Sequence, residues 1–248
     1  MNELTGKKAL VVGASRGLGR GIAEAFSQAG ADLVAVARDR DQLVGLAHSY
    51  SRVTAEVADA TDPTIAGTLL QRHQPDLLAL VAGASPPLHK LQDQTWETFS
   101  VNWNTDVRIA FQWLREVLSL PLRPGSRVVV MGSGASLAGS PMSGGYAGAK
   151  ATVRFITGYA SEEAQRAGLG LSFTTVLPRI TDATELGRPG VAAYAARAGI
   201  TEAEYIAQMG TRLTPAGAGQ AFVWLALAEP AGLAPGYLLT GDGLSPLK

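Results

Sequence analysis

Gly13-Ala14-Ser15-Arg16-Gly17-Leu18-Gly19 follows directly on the apolar run 9–12 and opens a helix-compatible stretch at 17–29. A glycine-rich turn between a strand and a helix lets the backbone come close to a pyrophosphate. The free amides and partial positive charge of the helix N-terminus then stabilise its negative charge. Three glycines in this setting mark a dinucleotide site at Gly13, Ser15, Arg16, Gly17, Leu18 and Gly19. Glycine turns are also common as plain structure, so the rest of the chain has to agree.

Outward from the turn, short apolar runs alternate with longer segments of helical period, the pattern of repeated βαβ units around a parallel sheet. Strands are expected at 9–12, 33–37, 52–56, 77–81, 127–131, 171–176 and 237–239, and helices at 17–29, 39–47, 63–72, 96–119, 145–166 and 216–228. Their continuous hydrophobicity suits strands buried on both faces. The reading is a single-domain, Rossmann-type, doubly wound α/β sheet of about seven strands across residues 1–248. Residues 182–212 break the rhythm with two short helical patterns, around 191–198 and 201–209, and are expected to lie over the ligand crevice as a substrate lid.

The C-terminal end of the second strand should meet the adenosine ribose. An acidic residue there favours NAD, but here the strand is followed by Arg38, whose guanidinium suits a 2′-phosphate. Arg16, in the turn, can reach the same phosphate from the other side, and two arginines favour NADP(H) over NAD. Either can instead be a solvated surface charge.

Tyr146 and Lys150 stand four residues apart on a helix-compatible segment, so their side chains share a face. An adjacent ammonium favours the phenolate of a tyrosine whose free pKa lies near 10, which makes it a usable acid or base. Alone, a Tyr-x-x-x-Lys pair is more often helix surface; its position gives it value. Thirteen residues before Tyr146, just past the strand 127–131, lies Ser133, where a hydroxyl can hold a substrate oxygen. Ser136 shares its loop and competes for that role, as Asn104 competes with Asn102 further upstream.

Taken together, the glycine turn, Val101-Asn102, Ser133, Tyr146-Ala147-Gly148-Ala149-Lys150 and the closing run from Gly236 to Gly243 make the chain resemble the short-chain dehydrogenase/reductase family over nearly its whole length. The resemblance implies a catalytic group in which Asn102 holds a water near the lysine, Ser133 orients substrate, Tyr146 is the acid/base and Lys150 binds the nicotinamide ribose. It also implies Asp59 against the adenine, although a turn or helix-start aspartate is the bland reading of that residue.

Two stretches depart from the family pattern. Where the family usually has Asn-Asn-Ala-Gly after the fourth strand, this chain reads Leu80-Val81-Ala82-Gly83. Ala82 and Gly83 still allow close approach to the nicotinamide ribose, but two amide side chains that tie neighbouring strands are gone, so that linkage must be made otherwise. After the sixth strand the usual Pro-Gly appears as Pro178-Arg179, followed by Ile180 and Thr181, and all four are placed at the cofactor, with Thr181 towards the carboxamide. The family's threonine stands slightly further from the proline. Arg179 can bind an anionic substrate, point to solvent, or pair with Asp182 or Glu185.

The expected activity is NADP(H)-dependent interconversion of a carbonyl and an alcohol on a small molecule, with no metal. A nucleotide-sensing protein without turnover, or an isomerase or dehydratase using the same site, stands as the alternative. Lysines plus arginines equal aspartates plus glutamates at 21 each, so no positive field exists for nucleic acid or an anionic membrane. There are no cysteines, which removes disulfides and thiolate chemistry, and three separated histidines show no metal-ligand spacing. The polar residues 1–8 lack the pattern of a signal peptide and no apolar run is long enough to span a bilayer, so the expected address is the cytoplasm. Apolar residues along 96–119 and the helix after Tyr146 suit burial between subunits, and the resemblance implies a homotetramer or homodimer, to which residues 244–248 can contribute.

Overall fold

The computed structural model describes residues 3–247; of the terminal segments singled out above, Met1, Asn2 and Lys248 lie outside the described residues. Among the described residues, seven parallel strands form the sheet: β1 (Lys8–Val12), β2 (Asp32–Ala37), β3 (Val53–Val57), β4 (Leu77–Leu80), β5 (Arg127–Met131), β6 (Ser172–Pro178) and β7 (Gly236–Thr240). An eighth, β8 (Gly243–Pro246), runs antiparallel to β7, and the order across the sheet is β3-β2-β1-β4-β5-β6-β7-β8. The expected doubly wound sheet is therefore present with one strand more. β8 escapes an apolar-run search because an edge strand needs no buried side chains on both faces, and its Pro246 is tolerated at an edge.

The helices are α1 (Gly17–Gln28), α2 (Arg40–Ser49), α3 (Ile65–His73), α4 (Trp96–Asn102), α5 (Arg108–Ser119), α6 (Ala135–Ala138), α7 (Tyr146–Arg166), α8 (Gly187–Ala198), α9 (Glu202–Gln208) and α10 (Pro215–Leu227). The single helix expected over 96–119 is broken by a π-helical turn, Trp103–Val107, between α4 and α5. Such turns insert a residue into the helical phase and concentrate at functional sites. This one buries Asp106.

Alternation within each strand feeds two cores. In β1, Ala9 and Val11 pack into one cluster with Ile22 and Phe222, while Leu10 and Val12 pack into the other with Trp113 and Val153. Both faces of the sheet are thus covered, which is why the strands read as unbroken apolar runs. Each fully buried aliphatic side chain contributes about 1.5–3 kcal/mol. On one face α1 and α10 cross backbone to backbone: a Cβ on Gly219 would lie 2.6 Å from the Ala25 Cβ and close on the Gly21 carbonyl.

The strand order reverses between β1 and β4, and open sheets of this kind bind ligands outside the carboxyl ends of the strands at that point. Among the described residues no helix is long and apolar enough to cross a membrane.

Candidate active site

A crevice of about 480 Å³ opens at the reversal point, within the size of ordinary ligand sites. It is lined at one end by the turn after β1 together with Arg38 and Asp59, and at the other by Ala82, Gly83, Tyr146, Lys150 and Pro178.

The turn is held against the exit of β4 by its glycines. Gly13 has φ +95°, and a Cβ there would sit 2.6 Å from the Ala82 amide nitrogen; a Cβ on Gly19 would run into the Gly13 carbonyl. Arg16 precedes α1 without making a side-chain cap, so first-turn amides are left for an anion.

Arg38 is exposed at the crevice. Arg16 also lines it, but its guanidinium lies 3.1 Å from Glu185 Oε2, with both side chains open to solvent. An exposed pair of this kind is worth about 0–1 kcal/mol, weak enough to be exchanged for a phosphate. Asp59 accepts hydrogen bonds from the Thr61 amide (2.9 Å) and hydroxyl (2.8 Å) on one oxygen, so it is a turn aspartate that also lines the crevice. Those two bonds, with the charges of Arg38 and Arg108 behind them, hold its carboxyl below the usual range.

At the other end α7 begins with Tyr146, and the Lys150 ammonium lies 5.8 Å from the centre of the Tyr146 ring. Lys150 donates to the Met131 carbonyl (3.3 Å) and faces Asp106 Oδ2 at 3.0 Å. Burial pushes its ammonium down, but the Asp106 carboxylate first and Tyr146 beside it hold it above the ordinary lysine value.

The competing serines and asparagines separate in space. Ser136 donates its hydroxyl to the Ser133 carbonyl at 2.6 Å, which occupies its proton, whereas buried Ser133 accepts from the Ala135 amide at 3.2 Å. Asn104 is exposed and donates to the Ser100 hydroxyl; Asn102 is buried and donates to the Ala84 carbonyl at 2.8 Å. Ser133 and Asn102 are buried and are not among the residues that line this crevice.

The residues after Pro178 are not gathered at the crevice. Arg179 and Ile180 are exposed, and Thr181 is buried with its hydroxyl donating to the Leu213 carbonyl at 2.6 Å. Thr184, Glu185 and Leu186 line the crevice instead, consistent with a threonine further from the proline. Asp182 pairs with Arg212 (2.8 Å) and Glu185 with Arg16, so neither takes Arg179. Asp106 and Thr105 also line the crevice, and reading the sequence for amide side chains in that helix passed them over.

A sequence model of the family described as short chain dehydrogenase matches residues 7–195. Hydroxynaphthalene reductase-like protein Arp2 of Metarhizium robertsii is 34% identical over 165 residues, 62% of this chain and 61% of that protein. Oxidoreductase UcpA of Escherichia coli is 40% identical over 78 residues, 29% of this chain and 28% of UcpA. The chain thus spans 61% of the length of the Arp2 relative and less of UcpA. A solved short chain dehydrogenase from Burkholderia cenocepacia J2315, in complex with NADP, shares the fold with a TM-score of 0.78 at 24% identity, over 96% of this chain and 98% of that one. The family match runs unbroken from before β1 into α8, across the glycine turn and the start of α7 alike, and the chain belongs to the short-chain dehydrogenase/reductase family of oxidoreductases.

Proposed function

We propose that the protein is an NADP(H)-dependent oxidoreductase that interconverts a carbonyl and an alcohol on a small organic molecule, with Tyr146 as acid/base. One observation carries the reading: a single crevice is lined by the glycine turn and Arg38 at one end and by Tyr146 and Lys150 at the other. The residues fit a dinucleotide phosphate, because the uncapped start of α1 and the close-packed Gly13 and Gly19 offer backbone amides to a pyrophosphate. Arg38 supplies the 2′-phosphate partner, Asp59 the adenine edge, and the NADP bound to the Burkholderia neighbour supports that choice.

When bound, the nicotinamide supplies or accepts the hydride. Tyr146 gives its hydroxyl proton to the carbonyl oxygen in reduction and takes it back in oxidation. The raised, charged Lys150 beside its ring favours the phenolate partner of that exchange. An ammonium has three donors; Met131 and Asp106 face two, and the third is left for the ribose hydroxyls. Ser133 orients the substrate oxygen, and Asn102 orders the wall behind the lysine through Ala84. Residues 182–212, carrying α8 and α9, close over the substrate and exclude water.

The test is loss of reduced-nicotinamide absorbance with purified protein, NADPH or NADH, and a panel of aliphatic and aromatic ketones and aldehydes, beside Tyr146→Phe. Substrate-dependent oxidation of NADPH that the variant loses is the expected result. Tight NADPH binding without turnover across the panel would instead favour a sensing protein, and turnover without net change in NADPH an isomerase or dehydratase.

A further inference from the structure

Nothing in a Tyr-x-x-x-Lys arrangement calls for a carboxylate, yet Asp106 meets Lys150 at 3.0 Å with the two side chains 1% and 6% exposed. Two charges so far from water are tolerated only when paired and hydrogen-bonded. Asp106 Oδ1 accepts from the Ala84 amide at 2.8 Å and from Asn102 Nδ2 at 3.4 Å. Oδ2 has no hydrogen-bonding donor aligned on it among the described residues and faces the ammonium alone. Gly83 makes the room, since a Cβ there would lie 2.8 Å from Oδ2. Leu80 and Val81 have no polar side chain with which to tie this loop. The π-helical turn and the end of α4 hold it instead, Asp106 taking the Ala84 amide and Asn102 its carbonyl.

We propose that Asp106 is a positioning residue of the site, fixing the Lys150 ammonium in its charged form and joining it to the 82–84 wall of the crevice. The proposal rests on the oxidoreductase reading above. The groups that face Lys150 are Asp106 from the π-helical turn, Tyr146 from its own helix and the Met131 carbonyl from β5. Of these only Asp106 brings a carboxylate. Without it, burial favours the neutral amine, and a neutral amine no longer favours the Tyr146 phenolate. Asp106 therefore acts on the proton-transferring tyrosine through the lysine, and on the cofactor wall through Ala84.

The experiment follows the ε-carbon resonance of Lys150 by NMR in cofactor-free protein labelled with 13C-lysine, as a function of pH. In the wild type Lys150 titrates above ordinary lysines. In Asp106→Asn, which keeps the oxygen that accepts from Ala84 and loses the charge, the midpoint falls by about 1–3 pH units. Asp106→Glu restores part of that fall. In alcohol oxidation, the pH at which kcat reaches its plateau moves upward in Asp106→Asn as the phenolate becomes harder to form. A wild-type Lys150 that titrates at or below the ordinary lysine value overturns the proposal, and this measurement needs no variant to fold. So does an Asp106→Asn protein whose Lys150 midpoint or kcat profile stays in place, since the carboxylate would then serve the fold alone. Wild-type protein that fails to bind NADPH in calorimetry would refute the oxidoreductase reading separately, because the titration is read without cofactor.

Discussion

Arg38 and Lys150 are both cations at the crevice, but one is exposed and the other buried, and the difference sets what each does when replaced. Hydrogen bonds to charged groups are worth about 1.5–3 kcal/mol, so Arg38→Ala should weaken NADPH binding by roughly 10–150-fold. NADH affinity should change little, and calorimetry with the two cofactors reads the difference directly. Equal losses for both would take the 2′-phosphate away from Arg38. Lys150→Met leaves the Asp106 carboxylate buried without its counter-charge, which costs about 3–5 kcal/mol of stability by denaturant unfolding at neutral pH. The sign of the pH dependence follows from a lysine raised in the folded state. Its contribution is present in full below the unfolded lysine value and is lost as pH climbs through the higher folded value. Wild-type stability should therefore decline across that alkaline window, with a slope that Lys150→Met lacks. Tyr146 and Lys150 were legible in the sequence because both belong to one helix face, where spacing dictates neighbours. Asp106 was not legible, because its contact with Lys150 joins distant segments and depends on a π-helical turn that resets the helical phase after Asn102. Thr184 was missed for a related reason: spacing in an irregular loop does not determine which hydroxyl turns inwards, and Thr181 turns towards Leu213.

At the scale of elements, regular segments were readable and irregular junctions were not. β1 and β2 announced themselves by unbroken apolar runs, and α9 begins where Thr201 and Glu204 form a capping box. β8 depends on a tight turn through Gly241-Asp242-Gly243, with Gly243 at φ +108°, and on pairing with β7 rather than on any hydrophobic pattern of its own. Side chains of α8 tie it to residues 140–142. Tyr194 stacks on Tyr205 with ring centres 6.5 Å apart, and its hydroxyl lies 2.6 Å from Ser140 Oγ and accepts from the Met142 amide at 3.3 Å. Tyr194→Phe removes both polar bonds and keeps the stack. Since each is worth about 0.5–1.5 kcal/mol net, the combined loss of about 1–3 kcal/mol should quicken amide hydrogen exchange across residues 187–208 by roughly 5–150-fold, with global stability falling by no more than that same amount. If those amides keep wild-type protection, the segment is not held shut by Tyr194, and the lid reading loses its latch.

Over the whole molecule, large apolar side chains are left outside the two cores on several elements, Trp96, Trp224, Phe111 and Phe155 among them. Phe111 on α5 and Phe155 and Tyr159 on α7 are each more than half exposed, and these two helices pack against one another on the sheet. Contiguous exposed apolar surface marks an interaction face, and we propose that these neighbouring helices are where copies of the chain associate. Light scattering coupled to size exclusion should show a dimer or tetramer for the wild type and a smaller species for Phe111→Glu combined with Phe155→Glu. A monomeric wild type would sink the proposal. The consequence reaches the site, because α7 presents Tyr146 and Lys150 from its first two turns and exposes Phe155 and Tyr159 further along the same helix. Any freedom that dissociation gives α7 is therefore transmitted to the proton-transferring pair. The dissociated variant should keep its circular dichroism and its NADPH contacts at the glycine turn, and lose turnover in proportion to the monomer present, so diluting the wild type through its association constant should lower specific activity in the same way.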